Sequence, residues 1–330
     1  MQLFYVTQYT NLYFCAPDFY CDCMLNIYIN DETSSLKSVI LGTSVSLGGV
    51  PTIKDAYDPK SRVHILKGTF PKEEDIAKEM SAFEKVLNKY DVEVFRPTEV
   101  PDLNQIFSRD IGFVINNKFI VANVLNKRIH EIEGIEYILE QISAHSIIRP
   151  PAEVSVEGGD VMPWKDKIFV GYSKKYDREK YEVSRTNEAA IEFLTATFPD
   201  HEVLGFELEK SDADPMFNAL HLDCCFQPVG NDQAIIFKGG FKNESEYDFL
   251  IDYFGRDNII EINRLQMYDM FSNIFSISPE VIVSEKNFNK LNQELRKRGF
   301  IVEEIPYAET AKMEGLLRCS TLPLIREKIG

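Results

Sequence analysis

The sequence predicts an α/β fold in which five copies of a ββαβ unit close into a pseudo-symmetric, five-bladed propeller. Three observations support this prediction. A hairpin, an amphipathic helix and a strand follow one another in the same order along the chain, and repeats of this size indicate an array of similar units. The last hairpin has one strand too few, and the early strand Leu36–Leu41 can supply its partner and close the ring. Reactive polar residues begin each hairpin.

Each unit contains an amphipathic helix followed by a strand that often ends at proline. In the first, Pro71 suits the start of a helix, where its missing N–H group costs nothing. Apolar residues then recur at spacings of three and four, which places them on one face: Ile76, Met80, Phe83, Leu87 and Tyr90. The predicted helices and following strands are 72–90 with 92–97, 131–143 with 146–150, 187–198 with 202–207, 244–254 with 258–263, and 287–298 with 300–306.

The predicted hairpins turn at short pairs of turn-forming residues. They are 111–122 turning at Asn116-Asn117, 161–171 turning at Lys165-Asp166, 221–238 turning at Gly230-Asn231, 274–284 turning at Ser278-Pro279, and the single strand 317–325. An open doubly wound sheet is the alternative, but no Gly-rich phosphate loop follows an early strand. The pair Gly48-Gly49 is interpreted only as a turn.

The start of the chain differs from the rest. Residues 1–23 contain no Lys or Arg and many Tyr and Phe. We interpret residues 1–24 as an N-terminal extension, loosely ordered or produced by an upstream start site, with Met24 as the working initiator. Residues 25–330 are predicted to form one catalytic domain. Polar residues interrupt any apolar stretch of a secretory signal, so a cytoplasmic location is predicted.

The composition limits the classes of partner. The net charge is −16, from 36 Lys and Arg and 52 Asp and Glu residues. Nucleic acid and anionic membranes are therefore not expected partners, because both require a basic face. A small cationic substrate is compatible with this charge. The composition leaves open whether the protein forms a homo-oligomer. No apolar run approaches the length of a membrane span.

Six cysteines in a chain of 330 residues do not make a disulfide scaffold. The pair Cys224-Cys225 lies in an apolar segment and is interpreted as core packing. The early cysteines, Cys15, Cys21 and Cys23, lack the fourth ligand that a zinc site needs. No metal site is predicted.

The residues that begin the hairpins share one position in the repeat. They are Arg109-Asp110, Glu157-Gly158-Gly159-Asp160, His221-Leu222-Asp223, Asn273 and Cys319. Equivalent positions of a closed array point to the same end of its axis. One cysteine, one histidine and several carboxylates should therefore meet there, although they are far apart in the sequence.

These residue types suit nucleophilic chemistry on a cation. A cysteine attacks as its thiolate, a nearby histidine exchanges the proton, and a carboxylate orients the imidazole; Cys319, His221 and Glu157 provide this set. Taken singly, each also has an ordinary structural explanation. Asp110 and Asp223 would repel each other unless a cation lay between them. A planar guanidinium matches two carboxylates and would present its central carbon to Cys319.

Four motifs resemble those of the guanidino-group-modifying enzymes: Phe107-Ser108-Arg109-Asp110, Glu157-Gly158-Gly159-Asp160, His221-x-Asp223 and the late Cys319. That superfamily includes arginine deiminase, dimethylarginine dimethylaminohydrolase and the arginine:glycine amidinotransferases. The resemblance extends from about residue 26 to the C-terminus, and the motifs occur in the order that the family shows. It implies the five-bladed pentein fold, an arginine-like guanidino substrate and no metal or organic cofactor.

The resemblance also implies roles for individual residues. Cys319 would be the nucleophile, His221 the general acid and base, and Glu157 its partner, while Asp110 and Asp223 would hold the guanidinium nitrogens. The segment 184–187 resembles the family's Ser-Arg-Thr motif, which nominates Arg185 as a ligand of the substrate's α-carboxylate. Arg128 is a second candidate, with an exposed charge at a helix start as the equal alternative.

The subclass depends on segments that resemble different relatives. Asp223 is unlike dimethylarginine hydrolases and favours an unsubstituted guanidinium. We predict amidino transfer from an arginine-like donor to an amine acceptor, with hydrolysis as the alternative. A non-catalytic pentein binding protein is a distant alternative. A binder would have no reason to keep Cys319, His221, Glu157, Asp110 and Asp223 together. Segments similar to amidinotransferases are 70–97, 214–216 and 283–285, and those similar to hydrolases are 185–187 and 315–320.

Overall fold

The computed structural model describes residues 24–175 and 180–328, and its strands form five sheets of three strands each. In every sheet two strands pair antiparallel and a third joins in parallel. The five predicted ββαβ units are therefore confirmed. The predicted N-terminal extension and its three cysteines lie outside the described residues, apart from Met24.

The helices are α1 (Pro59–Leu66), α2 (Glu73–Lys89), α3 (Glu136–Leu139), α4 (Ala189–Thr197), α5 (Glu244–Phe254), α6 (Arg264–Tyr268) and α7 (Asn289–Lys297). The strands are β1 (Leu36–Leu41), β2 (Glu93–Phe95), β3 (Gly112–Ile115), β4 (Lys118–Val121), β5 (Ile147–Ile148), β6 (Val161–Trp164), β7 (Lys167–Tyr172), β8 (Glu202–Glu207), β9 (Phe226–Val229), β10 (Gln233–Ile236), β11 (Ile259–Glu261), β12 (Phe275–Ser276), β13 (Val281–Glu285), β14 (Ile301–Ile305) and β15 (Thr321–Arg326). In the described ranges, no helix combines the length and apolar character that crossing a bilayer would take.

The ring closes as the sequence predicts. Strand β1 pairs antiparallel with β15, with Leu41 opposite Thr321. It also pairs in parallel with β2. At the end of β1 the Gly42 N–H donates to Ser320 O at 2.9 Å, and a Cβ atom on Gly42 would lie 1.9 Å from Ile106 O. Only glycine fits there, and the hydrogen bond to Ser320 holds the end of β1 directly against the loop that carries Cys319.

The predicted helix 131–143 forms only in part. Its first residues belong to a 3-10 helix, Asn126–Ile135, and α-helical geometry is limited to the short α3. Side chains three residues apart eclipse each other in a 3-10 helix, and this brings Arg128 Nε to 2.7 Å from Glu131 Oε1 in the buried interior. A Cβ atom on Gly134 would lie 2.2 Å from the Gln105 side chain, so the next turn is also tied to close tertiary packing.

Two short helices, α1 and α6, were not predicted because neither shows a long apolar repeat. The sequence features that indicate these two helices are their capping residues. Asp58 accepts a hydrogen bond from Ser61 N at 2.6 Å, and Pro59 is the first residue of α1. Asn263 and Gln266 form a capping box at the start of α6.

The apolar face of α2 packs into the core as predicted. Ile76, Met80, Phe83 and Leu87 are buried, and Phe83 meets Phe275 edge to face with ring centroids 5.7 Å apart. Such contacts join the helix to the next sheet around the ring. Tyr90, at the end of the predicted face, is only half-buried.

Glu79 links α2 to the 3-10 turn that precedes the Cys319 loop. Its buried carboxylate accepts hydrogen bonds from Glu309 N at 2.9 Å, Thr310 N at 2.8 Å and Thr310 Oγ1 at 2.9 Å. It therefore satisfies backbone donors at the start of this turn, which have no partner within the turn.

We expect Glu79→Ala to lower the free energy of unfolding by about 2–4 kcal/mol, because buried donors lose a charged acceptor. Urea unfolding followed by circular dichroism measures this. Glu84→Ala on the same helix is the matched control; Glu84 pairs with Arg96 at 2.6 Å but is partly exposed, so its loss should cost less than about 1 kcal/mol. Equal costs for the two variants would contradict the capping role.

Candidate active site

A histidine and two carboxylates from three different blades meet at one end of the ring. His221 Nε2 lies 2.9 Å from Glu157 Oε2, and His221 Nδ1 lies 3.7 Å from Asp110 Oδ1. All three side chains are buried. A Cβ atom on Gly159 would lie 2.7 Å from the imidazole, so glycine is required beside His221.

The candidate nucleophile reaches the same cluster from the loop before β15. Cys319 Sγ lies 3.5 Å from Asp223 Oδ2 and 3.0 Å from the side-chain nitrogen of Asn273. Cys319 thus contacts side chains from the starts of the third and fourth hairpins, whereas Asp110, Glu157 and His221 from the first three meet one another.

The charges around His221 favour its protonated form. Burial alone would lower the pKa of His221, but the carboxylates of Asp110, Asp160 and Glu157 raise it above its ordinary value. Burial would raise the pKa of Glu157, but Arg185, His221 and Arg128 lower it overall. These shifts favour an imidazolium beside a carboxylate, an arrangement that suits proton donation to a leaving group.

The same surroundings disfavour a thiolate at Cys319. Burial raises the pKa of the Cys319 thiol well above its ordinary value, and the negative charges of Asp223 and Asp110 raise it further. In this state the sulfur is a neutral thiol. A cation placed among these groups would reverse the effect of the two acids.

Three arginines of the chain already pair with the site carboxylates. Arg128 Nη1 lies 2.6 Å from Asp110 Oδ2, Arg185 Nη1 lies 3.1 Å from Glu157 Oε2, and Arg318 Nη1 lies 2.8 Å from Asp223 Oδ2. Their side chains are 1%, 0% and 0% exposed, respectively.

The reading of Arg128 as an exposed charge at a helix start is therefore wrong. Its guanidinium is occupied by Glu131 and Asp110, and that of Arg185 also donates to Tyr57 O at 2.8 Å. The roles of Arg128 and Arg185 as carboxylate ligands, and of Asp223 as a guanidinium ligand, stay predictions.

Sequence reasoning missed the partners of Arg318. This guanidinium makes two 3.0 Å contacts with the Glu32 carboxylate and donates to Val161 O at 3.0 Å. Burial would raise the pKa of Glu32, but Arg318 and Arg109 lower it to about 2. No local pattern marks Glu32, because its partner lies at the other end of the chain.

Each of the two carboxylates beside His221 has one buried oxygen without a hydrogen-bond partner among the described residues. Within residues 24–175 and 180–328, no hydrogen bond reaches Asp110 Oδ1 or Glu157 Oε1. A buried carboxylate oxygen without a donor is costly. Both atoms are therefore acceptors that a ligand with several N–H groups can satisfy.

A cavity of about 410 Å³ lies beside the arginines and is lined largely by residues 47–58. Tyr57 belongs both to its wall and to the charged cluster, because its ring centroid lies 5.4 Å from the Arg128 guanidinium and 5.6 Å from that of Arg185. Asn104 donates to the Tyr57 hydroxyl at 3.1 Å. Sequence reasoning did not nominate Tyr57.

The ligand atoms of Asp110, Glu157 and His221 lie within 4.8 Å of one another, close enough for one metal ion. The guanidiniums of Arg128 and Arg185 already compensate the two carboxylates. A dication would enter against this positive charge, so the residues do not fit a resident metal.

Comparisons with known proteins agree with this architecture. The family model described as N,N dimethylarginine dimethylhydrolase, eukaryotic, matches residues 69–326. The uncharacterized protein YkgA of Bacillus subtilis (strain 168) is 30% identical over 222 residues, which cover 67% of this chain and 70% of YkgA. Arginine deiminase of Treponema denticola is 28% identical over 53% of this chain and 48% of the relative. That of Borrelia recurrentis is 27% identical over 69% of this chain and 62% of the relative.

Solved structures confirm the predicted pentein fold. SxtG, an amidinotransferase from Microseira wollei, superposes with a TM-score of 0.72 at 17% identity, covering 92% of this chain and 98% of that one. The N-terminal domain of ArgZ, a cyanobacterial arginine dihydrolase, gives a TM-score of 0.71 at 15% identity, covering 88% and 98%. At these identities the likeness concerns the fold.

Glu314 lies buried in the turn that leads to Cys319. Burial, together with the charge of Asp58, raises the pKa of Glu314 to about 8. Asn218 Nδ2 donates to its Oε1 at 2.7 Å. In the folded protein Glu314 is therefore protonated at pH values where an unfolded glutamic acid is ionised.

We expect the free energy of unfolding to fall as pH rises from about 4.5 to about 8, because folded Glu314 keeps a proton that the unfolded chain has released. Glu314→Gln mimics the protonated acid and should flatten this dependence. Denaturant unfolding at several pH values measures it, with Glu309→Gln on the nearby turn as control. Identical slopes in wild type and Glu314→Gln would contradict the assignment.

Proposed function

Because the chain belongs to the N,N dimethylarginine dimethylhydrolase family, and so to the guanidino-group-modifying enzymes of pentein fold, we propose that it hydrolyses the guanidino group of arginine or of an N-methylated arginine. The reaction proceeds through a covalent adduct on Cys319. The relatives with a named activity that support hydrolysis are arginine deiminases, and this chain covers 48% and 62% of two of them.

One observation carries the proposal. Among the described residues, Asp110 Oδ1 and Glu157 Oε1 are buried acceptors without hydrogen-bond donors, and both carboxylates lie against His221. Besides burial and Asp223, the Asp110 carboxylate also raises the pKa of Cys319. A guanidinium carries N–H groups in one plane around a positive carbon, so it can satisfy both oxygens at once. Its carbon is then held beside the sulfur.

The substrate's charge activates the nucleophile in this mechanism. Without substrate, burial and then the charges of Asp223 and Asp110 raise the pKa of Cys319 and favour the thiol. A bound guanidinium offsets these charges, the thiol loses its proton to solvent, and the thiolate adds to the guanidinium carbon. Neutral competitors do not supply the charge and leave the sulfur unreactive.

His221 then serves both stages. As imidazolium, oriented by Glu157 at 2.9 Å, it protonates the departing amine, and the tetrahedral adduct collapses to an S-alkyl thiouronium on Cys319. Neutral His221 next removes a proton from water, which attacks the same carbon and releases the thiolate. The product is a urea group, citrulline when the substrate is arginine.

We propose that Arg185 and Arg128 also contact the substrate's α-carboxylate. Tyr57 lies over both guanidiniums, and the neighbouring cavity has the size of a small-molecule site. A carboxylate therefore reaches the arginines when the Tyr57 ring moves aside.

Amidino transfer is the second candidate. It uses the same thiouronium, attacked by an amine instead of water. The segment Asp214-Pro215-Met216, which resembles amidinotransferases, forms a turn capped by Asp214 just before His221, and this placement favours an acceptor-binding role for it.

Replacing Cys319 by alanine should lower turnover at least about a thousandfold, because no other group can form the adduct. Amino-acid analysis of products from arginine and dimethylarginine, with and without glycine, measures this. Cys225→Ala, at another buried cysteine, is the matched control.

The products of the reaction distinguish hydrolysis from amidino transfer. Citrulline without an added amine supports hydrolysis, whereas ornithine and guanidinoacetate that form only with glycine support transfer. Full activity of Cys319→Ala, or neither product nor a Cys319 adduct by mass spectrometry, would contradict the mechanism.

Asp110→Asn should separate binding from thiol reactivity. Loss of the anionic acceptor should reduce kcat/KM for guanidino substrates by about a hundredfold or more, since a buried charge-assisted contact is lost. Alkylation of Cys319 by iodoacetamide should become faster, because Asp110 raises the pKa of Cys319. Peptide mass spectrometry follows this alkylation. Slower alkylation in Asp110→Asn would contradict the proposed charge control.

A further inference from the structure

The fourth hairpin begins with an amide instead of an acid or a histidine. Asn273 is completely buried and lies just before β12. Its Oδ1 accepts hydrogen bonds from Leu316 N at 3.1 Å and Cys319 N at 3.0 Å, and its Nδ2 lies 3.0 Å from Cys319 Sγ. One amide thus contacts both the backbone and the sulfur of the nucleophile.

The contacts fix which way the amide points. Two backbone N–H groups converge on one terminal atom of Asn273, and only an oxygen can accept both. The other terminal atom, which faces Cys319 Sγ, is therefore the nitrogen, so Asn273 donates toward the sulfur.

The backbone of the same residue holds the rest of the loop. Asn273 O accepts from Leu317 N and Arg318 N, both at 3.2 Å. The preceding Ser272 donates its hydroxyl to Asp223 O at 2.8 Å. This short segment therefore positions the sulfur, the arginine that pairs with Asp223, and Asp223 itself.

An amide at this place has an electrostatic consequence. Asp223 and Asp110 oppose negative charge on the sulfur, whereas an N–H donor at 3.0 Å favours it. A carboxylate at 273 would keep the acceptor for the two backbone N–H groups but place a further anion against the sulfur.

We propose that Asn273 is the positioning residue of the nucleophile: it anchors the 316–319 loop and donates a hydrogen bond to the sulfur as the thiolate forms. This assignment rests on the proposed role of Cys319. It adds a group that does not touch the substrate but acts through Cys319.

Asn273→Asp tests this in the full chain, because it changes one N–H donor to oxygen with little change in shape. Alkylation of Cys319 by iodoacetamide, followed by peptide mass spectrometry from pH 6 to 10, needs no substrate. We expect the rate at pH 8 to fall about tenfold or more and its pH dependence to move upward by about one unit. On guanidino substrates kcat should fall in parallel, with KM changed less than about threefold.

Asn292→Asp is the matched control, since Asn292 is a buried amide of α7 whose side chain donates to Glu285 O at 3.0 Å and not to Cys319. It should leave Cys319 alkylation within about twofold of wild type. Asn273→Ser is a second variant, in which a shorter hydroxyl can still accept from the loop but not reach the sulfur. It should also slow alkylation while thermal unfolding reports a folded protein.

Unchanged rate and pH dependence of alkylation in the folded fraction of both Asn273 variants would overturn the inference. Lost turnover with unchanged alkylation would overturn it as well. A wild-type protein that is inert toward every guanidino substrate contradicts the proposed function instead, whatever the alkylation of the variants, so the two failures are distinguishable.

Discussion

The centre of the ring depends on the pairing of buried carboxylates with buried guanidiniums. An isolated buried carboxylate is costly in a protein interior. Asp110, Glu157 and Asp223 each have an arginine partner: Arg128 and Arg185 belong to the same blade as their acids, whereas Arg318 pairs with Asp223 of another blade. Because a buried pair is strongly destabilised when one partner is lost, the pair of Arg318 with Asp223 also holds two blades together. The cluster is therefore both a structural element and the candidate site.

The pairing is incomplete in a specific way. Each arginine satisfies one oxygen of its acid, and among the described residues the other oxygen of Asp110 and of Glu157 has no hydrogen-bond donor. A network in which every hydrogen-bonding group had a partner would make a rigid core, but it would have no acceptor left for a ligand. The unsatisfied oxygens instead leave room in the hydrogen-bond network for a flat cation, and the raised pKa values of His221 and Cys319 describe a site poised before that cation arrives.

Much of the fold could be predicted because its signals are local. The hairpin at Lys165-Asp166 and the apolar face of α2 are encoded by neighbouring residues, and the structure has both. The register of the hairpins then predicted which side chains would meet. The 3-10 helix could not be predicted in this way, because its buried Arg128 pairs with Asp110, 18 residues earlier in the sequence. The same holds for Glu32, whose partner Arg318 is nearly the whole chain away. Charge pairs between residues far apart in the sequence produce no repeating pattern from which they could be predicted.

The closure of the ring by β1 against β15 has a consequence for folding. Cys319 lies next to β15, and the partner of β15 is β1, which is far away in the sequence. Contacts so distant in sequence form late, because a long loop must close before they contribute stability. We therefore expect the Cys319 loop to be held in place only after most of the ring has folded.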